Sequence, residues 1–326
     1  MSLQTEGVYS HLQMNKMLNN QIQNLQRNIA SVYMGNTRAI DKVIIALLAR
    51  GHILIEDVPG VGKTVLASAM AKSIDCSFAR IQCTPDLLPS DITGINMFDQ
   101  SSSEFSFRAG PIFNNIIVAD EINRTTPRTQ SALLEAMSES VVTIDGETRQ
   151  LPAPFMVIAT QNPYEFEGTY FLPENQLDRF LVRINLGYPS PEDEQRVIRK
   201  QPARTSLQSL KTVMSSKDVV SIQDQVDEIK ISDELVEYMI AIATATRQAE
   251  DLQVGVSPRG TLAMAQTARA SALLQDRDYC IPEDVVSNVI PVCAHRVVSR
   301  TYMHDGDTNA TRRIMQQVLE TVPSPA

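Results

Sequence analysis

The stretch Ile53-Leu-Ile-Glu-Asp-Val-Pro-Gly-Val-Gly-Lys-Thr64 decides how the rest of this chain is interpreted. It combines a short apolar strand, a glycine-bearing loop, and a helix predicted over Lys63–Ser73. This order is typical of a phosphate-binding P-loop, because backbone N–H groups in the loop and at the helix start point at phosphate oxygens. We therefore expect Lys63 to neutralise the β- and γ-phosphates and Thr64 to ligate Mg²⁺.

One position departs from the general P-loop pattern, which has glycine where this chain has Asp57. Aspartate tolerates unusual backbone angles better than most residues, so we expect the turn to survive. The alternative is an ordinary strand–turn–helix unit capped by glycines, but the strand before the loop and the helix after it favour nucleotide binding. The residues expected to contact the nucleotide are Pro59, Gly60, Val61, Gly62, Lys63, Thr64 and Val65.

Composition limits the class of protein. A chain of 326 residues favours two domains over one, and 43% hydrophobic residues support a substantial core. The net charge of −9 argues against a general nucleic-acid surface, although it leaves room for a local basic channel.

The chain carries no pattern typical of a membrane or secreted protein. Its longest apolar run, near Val43–Ala49, is far shorter than the ~18 residues of a membrane span. The N-terminus is polar, without the apolar core of a signal peptide. The four cysteines contain no Cys-x2-Cys pair, so reduced and mostly buried thiols are favoured over a metal site or disulfides. We expect a cytoplasmic protein.

A second strong motif is Ile116-Ile-Val-Ala-Asp-Glu121, an apolar strand ending in two carboxylates. Side chains at the carboxyl end of such a strand can reach a site beside a P-loop. Successive strand residues point to opposite faces, so the two carboxylates can have different roles. We expect Asp120 to hold Mg²⁺ and Glu121 to orient or deprotonate the attacking water.

The remaining pattern predicts an α/β region followed by helices. Five strands are expected: two begin at Ile53 and Ile116, and the others span Phe78–Cys83, Phe155–Thr160 and Leu181–Leu186. A short helix is expected at Thr84–Asp91, and two hairpins are expected at Ile95–Arg108 and Val141–Leu151. Gly187-Tyr-Pro-Ser-Pro191 is a cluster of breakers, after which capped helical patterns follow one another. We predict a polar tail over residues 1–20, an α/β domain over 21–189 and an all-helical domain over 190–326.

Three weaker signals stay open at this point. Val32-Tyr-Met-Gly35 could supply apolar contacts to an adenine ring or belong to the core, and Tyr188 could stack on adenine. Asn162, after the fourth strand, could hydrogen-bond the attacking water or the γ-phosphate, but asparagine before proline is also a common turn.

Taken together, these motifs resemble the MoxR family of AAA+ ATPases. The resemblance runs from about Ile22 to the last helices, and the Asp57 variant is frequent in that family. The motifs that carry it, all in the family's order, are Glu56–Thr64, Ala119–Arg124, Gln130–Met137, Ala159–Pro163, Glu167–Tyr170, Leu172–Glu174, Leu177–Phe180 and Ser257–Arg259. The fold that it implies is an α/β P-loop AAA+ core, a parallel sheet flanked by helices with two hairpin inserts, followed by a smaller all-α lid domain.

The resemblance also implies roles for single residues. Asn162 matches sensor 1, Arg179 matches the arginine finger, which reaches the γ-phosphate of a neighbouring subunit, and Arg259 matches sensor 2. From the residues alone, surface or interdomain salt bridges would be favoured for both arginines. The implied cofactors are ATP and Mg²⁺, bound between the α/β domain and the lid, and the implied assembly is a homo-oligomeric ring, expected to be a hexamer.

The function implied by the family is an ATPase that acts as a chaperone and remodels or activates partner proteins. Client proteins with von Willebrand factor A-type domains are expected among its partners. The alternatives are the motor subunit of a metal-chelatase-like complex, a nucleic-acid motor and a nucleotide switch without hydrolysis. A nucleic-acid motor is disfavoured because the hairpin tips, Asp99–Glu104 and Asp145-Gly146-Glu147, are acidic rather than basic. Glu121 argues against a switch without hydrolysis.

Overall fold

The computed structural model describes residues 20–58, 60–101, 103–162, 168–170, 172–200, 207–300 and 308–325. Strands and helices alternate up to residue 190, and helices predominate from residue 191 onward. The α/β class with a following helical region is therefore confirmed. The predicted tail over residues 1–20 lies outside the described residues except for Asn20, which is already helical.

The bounds of the elements follow the sequence patterns closely. The strands are β1 (Ile53–Glu56), β2 (Ile74–Asp75), β3 (Phe78–Gln82), β4 (Gly94–Asp99), β5 (Glu104–Ala109), β6 (Ile116–Asp120), β7 (Val141–Ile144), β8 (Glu147–Gln150), β9 (Met156–Gln161), β10 (Val182–Ile184), β11 (Met214–Ser215), β12 (Leu252–Val254) and β13 (Val298–Ser299). The helices used below are α1 (residues 20–32), α2 (Thr37–Leu48), α3 (Lys63–Ser73), α4 (Pro89–Thr93), α5 (Pro127–Glu139), α6 (Glu174–Leu177), α7 (Pro191–Lys200), α8 (Ser216–Glu228), α9 (Asp233–Gln248), α10 (Pro258–Leu274), α11 (Pro282–Cys293) and α12 (Thr308–Thr321).

Five parallel strands form the central sheet, in the order β10-β1-β9-β6-β3. Each of the four strand pairs in it is parallel. Since parallel strands end at the same edge, β1, β3, β6 and β9 bring their last residues together at one side of the sheet. That edge is where a ligand binds in an open α/β sheet.

Alternating side chains of the sheet enter two apolar cores. Ile53, Ile55 and Val118 pack on the side of α2 and α3, whereas Leu54 and Ile117 pack on the side of α5. Strands that are buried on both faces have continuous apolar sequences, which is why β1, β6 and β9 were visible in the sequence.

The helical region shares one of these cores with the sheet. Helix α2 is buried on most of its surface and packs against both the sheet and the helices α8 and α10. Polar contacts add to this interface, since Gln223 Nε2 donates to Leu47 O at 2.7 Å and Arg50 pairs with Asp224 and Asp227. The apolar core is therefore continuous from the sheet to the last helices.

Two predictions about local structure were wrong. The helix expected at Thr84–Asp91 begins only at Pro89, because Leu88 is extended, as residues before proline usually are. Proline also suits the first helical position, where its missing N–H costs nothing. The expected fifth strand shortens to Val182–Ile184, and the two-residue pairings β2–β11 and β12–β13 were not predicted.

No helix within the described ranges has both the length and the apolar character needed to cross a bilayer. All four cysteines are free, and Cys83, Cys280 and Cys293 are buried. Burial raises the pKa of the Cys83 and Cys293 thiols to about 12, so they stay protonated. These thiols behave as small apolar side chains of the core.

His52 joins three elements at the base of the sheet. Its Nδ1 accepts from Val157 N at 3.0 Å, and its Nε2 lies 2.9 Å from Met137 O in α5. Because Nδ1 accepts, the ring is neutral with its proton on Nε2. Burial lowers the pKa of His52 to about 4, and burial together with the Arg296 charge lowers the pKa of His295 well below its ordinary value.

This burial predicts that stability falls with acidification below the ordinary histidine pKa. Between about pH 6.5 and pH 5 the histidines of the unfolded chain bind protons, whereas the buried histidines of the folded chain stay neutral. The free energy of unfolding therefore falls by about 1.4 kcal/mol per pH unit for each buried histidine. Denaturant titrations at pH 7, 6 and 5 measure the free energy of unfolding. In the variant His52→Gln, whose side chain keeps a donor and an acceptor but does not titrate, the free energy of unfolding should depend less steeply on pH. An identical slope in both proteins would contradict the prediction.

Candidate functional site

An open cavity of about 330 Å³ lies at the carboxyl edge of the sheet. Residues from the P-loop and from the ends of three neighbouring strands line it. They are Gly60, Gly62, Lys63, Thr64, Val65, Arg80, Gln82, Asp120, Glu121, Thr160 and Asn162. The parallel register explains the grouping, because Gln82 pairs with Asp120 and Ala119 pairs with Ala159.

The P-loop uses glycine where the backbone requires it. Gly60 and Gly62 have φ values of 89° and 92°, in the left-handed region where a side chain is strained. Gly62 also faces the ring of Tyr33, which would lie 3.4 Å from an added Cβ. Helix α3 begins at Lys63, as predicted, so its first N–H groups face the cavity.

Lys63 is held by carbonyl oxygens of the loop and the sheet. Its Nζ donates to Asp57 O at 2.5 Å and approaches Gln161 O at 3.5 Å. Burial lowers the pKa of Lys63, and the carboxylates of Asp57 and Asp120 oppose that shift. A phosphate at the helix start would supply a stronger, ionic partner for this ammonium group.

Asp57 keeps the turn for a different reason from the one expected. It does not adopt a left-handed conformation. Its carboxylate instead accepts backbone N–H groups from Val58, Leu186 and Gly187 at 2.9, 2.7 and 2.7 Å. The prediction that the turn survives is met, but the argument from backbone angles was wrong.

Asp120 is buried at the end of β6, where its carboxylate has two partners. Oδ2 accepts from Arg80 Nε at 2.5 Å, and Oδ1 accepts from the Thr160 hydroxyl at 3.3 Å. Arg80 is half-exposed, so it can turn away from Asp120 at little cost. The guanidinium occupies a place suited to a cation.

Glu121 does not continue the strand. Its φ of 57° is left-handed, which turns the chain out of β6 into a short 3-10 helix at Ile122–Arg124. Its carboxylate pairs with Arg124 at 3.1 Å. The expectation that strand alternation separates the two carboxylates was therefore wrong, because a backbone turn separates them instead.

Thr160 connects both acids, and sequence reasoning missed it. The Glu121 N–H donates to Thr160 Oγ1 at 2.9 Å, while the same hydroxyl donates to Asp120 Oδ1. Thr160 is 2% exposed. Arg80 and Gln82, at the end of β3, were missed as well. The only signal was strand alternation, which becomes informative once the register with β6 is known.

A second, larger groove contains the two predicted arginines. It lies between the end of α5, the segment Asp178–Leu181 and the helices α9 and α10. Arg179 donates to Leu134 O at 2.6 Å and to Ser138 Oγ at 2.5 Å, and Arg259 pairs with Asp178 at 3.4 Å. Among the described residues, none from 57–65 lines this groove.

The structure thus divides the predicted site residues into two groups. Lys63, Thr64, Asp120, Glu121 and Asn162 line the cavity at the sheet edge, together with Gly60, Gly62 and Val65. Arg179 and Arg259 line the groove. Pro59 lies outside the described residues, and Val61 is partly buried against the core. Tyr33 and Met34 are buried in the core, and Tyr188 is 75% exposed.

Comparisons with known proteins show which family the chain belongs to. The profile of the ATPase family associated with various cellular activities (AAA) matches residues 52–182, and that of the AAA lid domain matches residues 244–318. Chaperone MoxR1 of Mycobacterium tuberculosis is 40% identical over 91% of this chain and 80% of its own length. The chain belongs to the MoxR family of AAA+ ATPases. This MoxR protein is therefore an ATPase with a nucleotide-binding core.

Two further relatives extend the comparison. Uncharacterized protein YeaC of Bacillus subtilis is 53% identical over 74% of this chain and 75% of its own length. A crystal structure of a candidate ATPase from Cytophaga hutchinsonii superposes with a TM-score of 0.89 at 35% identity, covering 98% of this chain and 99% of that one. The MoxR fold described above thus extends over nearly the whole chain.

The hydrogen bonds of Thr160 predict a loss of turnover in Thr160→Val. Valine has the same shape but leaves the partly buried Glu121 N–H and the Asp120 carboxylate without the Thr160 hydroxyl, a penalty of about 1–3 kcal/mol. We expect ATP hydrolysis to fall about tenfold or more, while ATP binding changes little. The control is Thr160→Ser, which keeps the hydroxyl. Equal turnover of the two variants would show that the hydroxyl does not position Glu121.

Proposed function

We propose that this MoxR protein hydrolyses ATP in a Mg²⁺-dependent reaction within a closed ring, and that hydrolysis remodels or activates partner proteins. The observation that carries the proposal is the separation of Arg179 and Arg259 from the P-loop cavity. The lysine expected to bind phosphate lies in one cavity, and the two arginines expected to sense it lie in the other. A site that contains all three groups therefore forms only between subunits.

The residues at the sheet edge fit a magnesium ion. Mg²⁺ prefers hard oxygen ligands and is usually bound by one or two carboxylates together with the phosphates of the substrate. The Thr64 hydroxyl and the Asp120 carboxylate line the same cavity, and Asp120 already attracts a cation, the Arg80 guanidinium. When bound there, the ion would neutralise charge on the phosphate oxygens.

The protein's own groups would complete the chemistry. Lys63 would move from Asp57 O to the β- and γ-phosphates, which offer it full negative charge. Glu121 would leave Arg124 and accept a hydrogen bond from the attacking water. Asn162, which is 6% exposed, would orient that water or the γ-phosphate through its side-chain amide.

Arg179 and Arg259 would act on the nucleotide of the neighbouring subunit. A guanidinium supplied in trans stabilises the charge that develops in phosphoryl transfer, an effect of several orders of magnitude in rate. Because such a contact is heterologous, repeating it around an axis closes a ring, and a hexamer is the size we expect.

The proposed clients are proteins, among them proteins with von Willebrand factor A-type domains. The name chaperone belongs to the MoxR1 relative, and its coverage of most of this chain favours that role over a chelatase motor. The two hairpins are tied together, since Asn96 Nδ2 donates to Asp145 Oδ2 at 2.7 Å. Their acidic tips argue against a nucleic-acid motor.

The free thiols agree with a reducing compartment such as the cytoplasm.

A mixing experiment tests the ring directly. Arg179→Ala and Glu121→Gln should each abolish most hydrolysis, one by removing the finger and the other by removing the base. In mixed rings, an Arg179→Ala subunit with intact Glu121 can receive Arg179 from its Glu121→Gln neighbour. About one interface in four is then complete in a 1:1 mixture, so activity should reappear.

The mixing result has clear controls. Specific activity of the unmixed parent should rise with protein concentration, and Arg179→Lys should stay low because lysine lacks the planar fork of arginine. A mixture as inactive as its components, with mass measurements showing mixed rings, would remove Arg179 from the mechanism. Activity independent of concentration and of Arg179 would contradict the intersubunit site.

A separate prediction concerns Glu121 alone. Glu121→Gln keeps the size of the side chain and the P-loop intact, so ATP should bind with unchanged or tighter affinity. Turnover should fall by about two orders of magnitude or more, the usual contribution of a general base. Equilibrium binding with a fluorescent ATP analogue and steady-state phosphate release measure the two quantities. Undiminished phosphate release would rule out the proposed role of Glu121.

A further inference from the structure

Asp57 holds a segment of chain that lies far from it in sequence. Its Oδ2 accepts the N–H groups of both Leu186 and Gly187 at 2.7 Å, and its Oδ1 accepts that of Val58. Leu186 is 2% exposed, so its N–H has no ready access to water as a replacement partner. Hydrogen bonds to a charged acceptor are among the stronger ones in proteins.

The main chain of Asp57 takes part in the nucleotide site at the same time. Its N–H donates to Gln161 O at 3.2 Å, and its carbonyl accepts from the Lys63 ammonium. One residue therefore contacts the phosphate-binding lysine through its backbone and the segment after β10 through its side chain.

The segment after β10 leads from the sheet into the helical region. Residues 185–190 connect β10 to α7, and Gly187 has a left-handed φ of 70° that turns the chain. Burial and the charges of Asp57 and Asp193 raise the pKa of Tyr33 to about 12. Tyr33 in turn lies against Gly62 of the P-loop.

We propose that Asp57 is a positioning residue that holds Leu186 and Gly187 against the P-loop, so that a change at the phosphates reaches the helical region. The proposal rests on the ATPase function, because the change that reaches Asp57 is the binding of a phosphate by Lys63, whose ammonium donates to Asp57 O. The carboxylate stays bound to the two amides meanwhile, so a shift of the Asp57 backbone displaces the segment that leads to α7.

The competing explanation is that Asp57 merely tolerates the place of a glycine. Under that explanation Asp57→Gly restores the general P-loop sequence and changes neither the amide exchange of residues 185–190 nor kcat. Under the proposal it keeps a P-loop able to bind ATP but leaves the amides of Leu186 and Gly187, and that of Val58, without an acceptor. The same substitution thus separates the two explanations.

Hydrogen exchange at residues 185–190 is the direct test, followed by mass spectrometry of fragments that cover them. In the parent protein the amides of Leu186 and Gly187 should be protected, and ATP or ADP should change their exchange. In Asp57→Gly they should exchange roughly tenfold or more faster, with no response to nucleotide. Asp57→Asn, which keeps one acceptor oxygen, should lie between the two.

The matched control is Asp193→Asn. Asp193 is a nearby residue whose carboxylate accepts from the Ser190 hydroxyl and from Arg196, and it makes none of the hydrogen bonds described for Asp57. Exchange of Leu186 and Gly187 should be unchanged in it. Amides that exchange freely in the parent, or that stay protected in Asp57→Gly, would overturn the proposal. If Asp57→Gly does not fold, the parent and Asp57→Asn decide in the same way.

Kinetics provides a second test that a merely structural residue would not pass. Asp57→Gly should bind ATP within about threefold of the parent affinity, while kcat falls about tenfold. An unchanged kcat, or a loss of ATP binding, would overturn the proposal. If the parent itself hydrolyses no ATP, the proposed function fails, whereas the exchange response to ADP still decides the role of Asp57.

Discussion

The parallel hydrogen bonding between β1, β9, β6 and β3 determines where the polar groups at the strand ends lie relative to the P-loop. Parallel pairing brings the carboxyl ends of these strands to one edge, and the register then sets which side chains meet. Thr160 lies beside Asp120 because the residues before them are paired. A shift of one residue in β9 would turn Thr160 to the other face of the sheet and separate it from both acids.

Much of this arrangement could be predicted because the signals are local. Glycine conformation predicts the P-loop, an apolar run predicts the strand before Asp120, and capping residues predict the helices that begin with proline. Each of these signals lies within about ten residues of sequence. Thr160 and Arg80 could not be predicted, since their roles depend on the pairing of strands far apart in sequence. The backbone of Glu121 and the carboxylate contacts of Asp57 escaped prediction for the same reason.

Charge is distributed unevenly between the two cavities. One holds Lys63 among carboxylates. The other is lined by Arg179, Arg259 and the buried Arg296, of which Arg259 and Arg296 pair with the carboxylate of Asp178. Burial lowers the pKa of Arg296, and Asp178 opposes that shift. The groove therefore has an excess of positive charge, which complements a nucleotide held by another subunit in the proposed ring. The family resemblance predicted both arginines, but only the fold shows that they share one groove.

Helix α2 has a further consequence, because it is buried by the sheet on one side and by the helical region on the other. A fragment ending near residue 190 would expose the apolar face of α2 that α8 and α10 cover. Apolar patches of that kind lead to aggregation rather than to a smaller folded unit. The predicted boundary near residue 190 thus marks a change of architecture along the sequence, and we expect the parts on either side of it to fold together.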